Sequence, residues 1–242
     1  MNHRPALFLA LLLAACARPD VPLKPLPQPT AWKAVLIAGD DSEPAFDNAV
    51  DAMAEKLHGY GLRREDIVVL KASAGDGQRA DGSHIGDAFA ALTPSRSDGC
   101  FVFITSHGGN DRGLVMTAAH SFLTPGDLDE LLDEHCADKP TVVIASGCFS
   151  GMFAKGRVMP TPNRTILTAA RSDRTSFGCN ASRHFTVFDE CVLDGIDRGR
   201  PWQDVMERTR ACVSRYETEE DFQPPSEPQI YVGSNVEGLV AF

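Results

Sequence analysis

The 242-residue chain contains no basic run, and its 33 acidic side chains outnumber 23 lysines and arginines, for a net charge of −10. A phosphate backbone needs a cluster of cations to displace its counterions, so nucleic acid is not an expected partner. Cys-x-x-Cys and His-x-x-x-His spacings are both missing, and with them the usual zinc frameworks. No metal and no cofactor is expected. Asp40 and Asp41 follow an apolar run with no histidine nearby, which reads as turn and capping chemistry rather than a cation site. The Gly-, Asp- and Ser-rich stretch 72–86 matches neither a phosphate-binding nor a calcium-binding loop and reads as a long surface loop. Ser146 and Ser150 flank Cys148, yet Gly147-Cys-Phe-Ser-Gly151 is not the Gly-x-Ser-x-Gly elbow of serine hydrolases. There is no internal repeat.

Long apolar runs are also missing, except at the start. Met1-Asn-His-Arg4 is basic, and the run from Ala6 to Cys16 covers about half of what a spanning helix needs. That is the pattern of a secretory signal. It closes on Leu13-Ala-Ala-Cys16, which resembles a bacterial lipobox. The resemblance implies cleavage before Cys16, acylation of that residue and a membrane anchor of more than one chain. Ala17 in the next position implies sorting to the outer membrane of a Gram-negative cell, facing the periplasm. Residues 1–15 are therefore expected to be a signal peptide and 16–31 a tether. Its prolines, Pro19, Pro22, Pro25, Pro27 and Pro29, favour extended chain and forbid a helix. Residues 32–242 are enough for one well-buried domain.

Within that domain, apolar and β-branched runs predict strands at 34–38, 66–70, 100–105, 141–145, 165–170 and 229–232. Helical spacing marks 46–57, 85–92, 126–135, 185–196 and 202–216, and 113–122 reads as a small hairpin. Strands alternating with helices predict an α/β fold of three layers, a mostly parallel sheet of about six strands between helices. Setting aside Cys16 and Cys148 leaves Cys100, Cys136, Cys179, Cys191 and Cys212, an odd number with room for at most two disulfides. An oxidising periplasm permits them, but spacing does not fix the pairing.

Two of the strand signals stop abruptly at small residues. Phe101-Val-Phe-Ile-Thr-Ser-His-Gly-Gly109 ends on a histidine, and Thr141-Val-Val-Ile-Ala-Ser-Gly-Cys148 ends on a cysteine. Loops at the carboxyl ends of neighbouring parallel strands form the ligand crevice of open α/β sheets, so His107 and Cys148 can meet there. A thiol beside an imidazole is a nucleophile, and glycines beside both leave N–H groups free to face an oxyanion.

Ser106-His-Gly108 and Ala145-Ser-Gly-Cys148 resemble the His-Gly and Ala-Cys motifs of the legumain-type cysteine peptidases, which share the caspase-like fold. Residues 32–52 resemble that family's first strand and helix. Ala169-Ala-Arg-Ser-Asp-Arg-Thr-Ser-Phe-Gly-Cys179 resembles the segment that lines its specificity pocket, Ser176 included. The resemblance implies hydrolysis of a protein or peptide substrate by Cys148, with His107 as the acid and base. It also implies the N–H groups of Gly108 and Cys148 as the oxyanion site. Transfer to an amine acceptor, as in the transamidase branch, and an inactive binding lipoprotein of the same fold are the alternatives.

The chain also departs from the eukaryotic legumains. Ungapped matching puts Asp47 where they hold an asparagine side chain with arginine, and Ala45 where an asparagine supports the histidine. Ser106 replaces an aspartate, and Phe149 replaces a pocket glutamate. Asparaginyl specificity is therefore not carried over. An Asp47 pointing into the pocket, with Asp173, Asp189 or Glu190 nearby, would make the field negative and favour a basic P1 side chain. The competing reading keeps Asp47 as a first-turn carboxylate that serves only its own helix dipole.

Overall fold

The computed structural model describes residues 26–75, 78–92, 98–179 and 182–242. The expected signal peptide, Cys16 and the first part of the tether lie outside them. In chain order the strands are β1 (Ala31–Ala38), β2 (Ile67–Lys71), β3 (Asp98–Thr105), β4 (Gly108–Gly109), β5 (Gly113–Met116), β6 (Ser121–Leu123), β7 (Thr141–Ser146), β8 (Arg164–Thr168) and β9 (Gln229–Val232). The helices are α1 (Pro44–Gly59), α2 (Gly82–Ala91), α3 (Pro125–His135), α4 (Val187–Gly195) and α5 (Trp202–Glu219).

Six strands form one sheet in the order β2-β1-β3-β7-β8-β9, parallel except for β9. β3 and β7 are central neighbours, buried on both faces, which is why their sequences are continuous apolar runs. The two-residue alternation divides their side chains cleanly. Leu36, Phe101, Phe103, Val142 and Ile144 pack against α1, α4 and α5. Ile37, Val102, Ile104, Val143 and Ala145 pack against α2, α3 and the β4-β5-β6 unit. The fold is thus the three-layer α/β arrangement expected from the pattern. Each large apolar side chain buried in these layers contributes roughly 1.5–3 kcal/mol.

Each helix layer carries one disulfide. Cys100 of β3 bonds Cys136 at the end of α3, and Cys191 of α4 bonds Cys212 of α5. Among the described cysteines, Cys148 and Cys179 are free.

Three of the departures from expectation change how the chain is anchored or where an element begins. β1 begins at Ala31 because residues 31–33 pair with 98–100. The end of the proline-rich stretch does not hang free: the Leu26 N–H donates to Asn235 O at 2.7 Å, and Gln28 bonds Gly238 O and the Val240 N–H. Extended proline-rich chain has no internal hydrogen bonds, so it takes partners from the C-terminal segment. Finally, the expected loop 72–86 ends early. Asp81 caps α2 by accepting from the His84 N–H at 3.1 Å, a helix start hidden among glycines.

Candidate active site

The last residues of β3 and β7, Thr105 and Ser146, are register partners. Side chains alternate, so both hydroxyls lie on the face covered by α4. The next residues turn to the other face. Ser106 Oγ donates to Val115 O at 2.7 Å, and a side chain at Gly147 would run into Leu114 and the Ser106 carbonyl. One residue further on, His107 and Cys148 return to the first face. There the His107 ring meets Phe46 of α1 edge to face, with centroids 5.2 Å apart and planes at 82°.

The two loops touch through their backbones. A Cβ at Gly108 would run into the Cys148 carbonyl, so only glycine allows this approach. The Val115 N–H donates to the His107 carbonyl at 2.9 Å, making that pair a hydrogen-bonded one. Pairs alternate in an antiparallel ladder, so Gly108 opposite Leu114 is not bonded there and its N–H points out of the hairpin.

After Cys148 the chain turns sharply. Phe149 lies in the left-handed region (φ 59°, ψ 9°), a conformation costing on the order of 1–3 kcal/mol for a non-glycine residue. Its N–H is fixed by Arg174 O at 2.7 Å. The facing segment reaches the sulfur itself. The Ser176 N–H donates to Cys148 Sγ at 3.4 Å, with Ser176 O at 3.6 Å and Ser176 Oγ at 3.7 Å. That segment is tied to α4, because the Val187 N–H donates to Phe177 O at 3.0 Å. Cys179 ends it, half-buried. Burial pushes its thiol up to about 12, with smaller contributions in the same direction from the nearby Cys148, Asp189 and Glu43.

The structure therefore gathers Cys148, Gly108 and Ser176, with His107 on the adjoining loop against Phe46. It does not gather the acids into one negative pocket. Asp47 accepts from Ser73 Oγ at 2.5 Å, in the loop after the edge strand β2, which agrees with its first-turn role. Asp173 is gripped by Arg171 at 2.5 and 3.0 Å, which holds its carboxyl down at about 2. Glu190 accepts from Tyr216 Oη at 2.6 Å and from Arg183 at 3.1 Å. Arginines offset two of the four charges, and the fourth acid, Asp189, is wholly buried beneath the strand ends. Asp40 accepts from the Ser42 N–H at 2.8 Å and serves its own turn, whereas Asp41 accepts from Thr117 Oγ1 at 3.0 Å and ties this loop to the residue after β5.

Sequence reasoning missed Phe46 as the partner of the histidine ring. Ala45, in the position where an asparagine supports the histidine of legumains, is buried. The available signal was the aromatic at the start of α1, which reads equally well as ordinary core.

Among solved structures, the crystal structure of caspase-1 from Spodoptera frugiperda superposes with a TM-score of 0.62 at 13% identity, covering 88% of this chain and 90% of that one. At that identity the likeness speaks for the fold, which is caspase-like. No curated protein matches the chain. The family described as Peptidase C13 matches residues 74–195, half of the chain, a span that holds β3, β7, His107 and Cys148. With a caspase-like fold and a match of this extent, the chain belongs to the peptidase C13 family, whose function is that of a cysteine peptidase.

Proposed function

We propose that this protein is an endopeptidase that cleaves through a Cys148 acyl-enzyme, with His107 as acid and base. The observation that carries the reading is the backbone contact between the Gly108 loop and Cys148, at the carboxyl ends of two neighbouring parallel strands. The Cys148 thiol proton is passed to His107, Sγ attacks the carbonyl carbon of a bound peptide, and the carbonyl π electrons move to oxygen. The N–H of Gly108, free of the hairpin ladder, and that of Cys148 stabilise this oxyanion. The oxyanion collapses, the C–N bond breaks, and His107 delivers its proton to the departing amine. Water then attacks the thioester while His107 takes up its proton; the C–S bond breaks, the acid leaves, and the proton on His107 returns to the sulfur. Nothing in this cycle calls for a metal or cofactor. A Cys16 acyl anchor would hold the domain at the periplasmic face of the outer membrane, where its substrates are proteins or peptides.

The test incubates the purified soluble domain with an unbiased peptide library, beside Cys148→Ala and His107→Ala. Cleavage by wild type, lost in both variants, is expected, and iodoacetamide should label Cys148 before Cys179. Unchanged turnover in Cys148→Ala would overturn the mechanism. For the anchor, mass spectrometry of the membrane fraction should find an acylated peptide beginning at Cys16. A soluble chain with a free N-terminus at Ala17 or later would refute it.

A further inference from the structure

Asp189 is a wholly buried acid that the proposed cycle leaves unused. It is the third residue of α4, behind the cap residue Thr186, whose hydroxyl accepts the Asp189 N–H at 3.1 Å. An acid in that position ordinarily reaches back to its own helix start. Asp189 also reaches the sheet: Thr105 Oγ1 donates to Asp189 Oδ2 at 2.6 Å, with the Thr186 hydroxyl a smaller influence from its own helix start. The Ser146 hydroxyl stands near enough to favour the charged carboxyl without a well-formed hydrogen bond, and Oδ1 is buried without a partner. One side chain thus faces the last residues of both central strands, each two positions before His107 or Cys148.

A simple anchor for α4 does not require an acid. Val187, Phe188 and Val192 hold the same helix with apolar contacts, and burying a carboxyl without full hydrogen bonding is costly. The start of α4 is also tied to the sulfur through the Phe177 carbonyl and the Ser176 N–H. Displacing Thr105 from Asp189 would therefore move the end of β3 relative to the segment that holds Cys148.

We infer that Asp189 is a positioning residue: through Thr105 it fixes the end of β3 against α4 and so sets where His107 stands relative to Cys148. For turnover this rests on the peptidase reading. For the reactivity of Cys148 it stands independently.

The test therefore reads two quantities, kcat and KM on a cleaved peptide and the rate of Cys148 alkylation by iodoacetamide. Thr105→Val removes the donated hydrogen bond while keeping the shape, and Thr105→Ser restores it. Asp189→Asn keeps an acceptor for Thr105, whereas Asp189→Leu does not. Thr105→Val and Asp189→Leu should lower kcat by about 10-fold or more with KM little changed, since misplacement by an ångström costs up to about 10²-fold. Thr105→Ser and Asp189→Asn should recover most of the loss. Adding Thr105→Val to Asp189→Leu should cost nothing further, because both remove one interaction. The alkylation rate should change in Thr105→Val and return in Thr105→Ser. If wild type cleaves no peptide, the peptidase reading fails while this alkylation series still decides the role of Asp189. Thr105→Val at wild-type kcat and wild-type alkylation rate would overturn the inference even if Asp189→Leu fails to fold.

Discussion

Beneath Cys148 and His107 the side chains at the strand ends are buried, and the alternation of β3 and β7 dictates which way each one points. Around them the rim is built otherwise. Asp47, Asp173 and Glu190 are exposed or half-buried; Asp47 and Glu190 are held by partners from another loop or helix, and Asp173 by Arg171 of its own loop. A floor of this kind leaves no room for an added atom. A rim of this kind can exchange side chains and keep its backbone. On the proposed reading, the difference separates where the reaction is set from where specificity is free to vary, and substitutions on both sides can sharpen or break it.

The largest effect is expected from Gly108→Ala. Its new methyl group would meet backbone, the Cys148 carbonyl, which cannot turn aside as a side chain can. The two loops must separate, and kcat/KM on a cleaved peptide should fall by about 10²-fold or more while the circular dichroism spectrum stays native. Activity within a factor of two of wild type would show that the loops do not depend on this contact.

Next come the disulfides, since one ties the sheet to its α3 layer and the other ties α4 to α5. Cys100 lies within β3, and Cys191 lies within α4, two residues after Asp189. They close loops of 36 and 21 residues in sequence separation. In the chain-entropy account each stabilises by about 3–4 kcal/mol. Urea unfolding of Cys100→Ala/Cys136→Ala and of Cys191→Ala/Cys212→Ala should show losses of that order, against the oxidised wild type. Losses under about 1 kcal/mol would mean that packing alone sets the layers.

The same contrast explains what the sequence made legible. β3 and β7 were readable because burial on both faces leaves an uninterrupted apolar signal, and the small residues after them mark where the chain turns. His107, Gly108 and Cys148 follow from those endings. The disulfide pairs were not readable, because Cys100 finds Cys136 only once α3 lies across β3. The partners of the rim acids were not readable for a similar reason. The partners of Asp173 and Glu190 sit on Arg171 and Arg183, and nothing in the spacing announces which way an arginine turns. Asp189 was read as a candidate pocket acid, yet its position in the first turn of α4 sends it under the strands, where its bond to Thr105 spans 84 residues.

Acid burial in the floor also gives a pH signature. Desolvation pushes the Asp189 carboxyl up to about 6 from 3.8, partly offset by the hydroxyls of Ser146, Thr105 and Thr186. Among the ionisable groups, Cys179 lies close enough to feel its charge. Between those two values the folded state holds a proton that the unfolded state has released. Stability therefore falls as pH rises from about 4 to about 6, by up to about 3 kcal/mol, and stays lowered above that. Asp81 and Asp173, held down at about 2, contribute with the opposite sign and mainly below pH 4. Urea unfolding at pH 4.5 and 7 should show the fall in wild type and not in Asp189→Asn. Equal pH dependence in both proteins would assign it elsewhere.

The smallest effect is expected on the rim, from Asp47→Asn. A carboxylate in the specificity pocket would rank substrates by charge, and neutralising it would reorder Arg, Lys, Asn and Asp at P1. Here the carboxylate is engaged by Ser73 after the edge strand β2, while its neighbours on α1 take the other directions, Phe46 toward His107 and Asn48 toward His184. Asparagine keeps an acceptor for the Ser73 hydroxyl, so the local structure should survive. Fluorogenic peptides differing only at P1 should keep their order, with kcat/KM within about two-fold for each, the scale of a surface substitution. A loss of Arg and Lys cleavage confined to Asp47→Asn would place this carboxylate in contact with substrate. The rim would then share the fixed geometry of the floor, and the contrast between them would fail at that position.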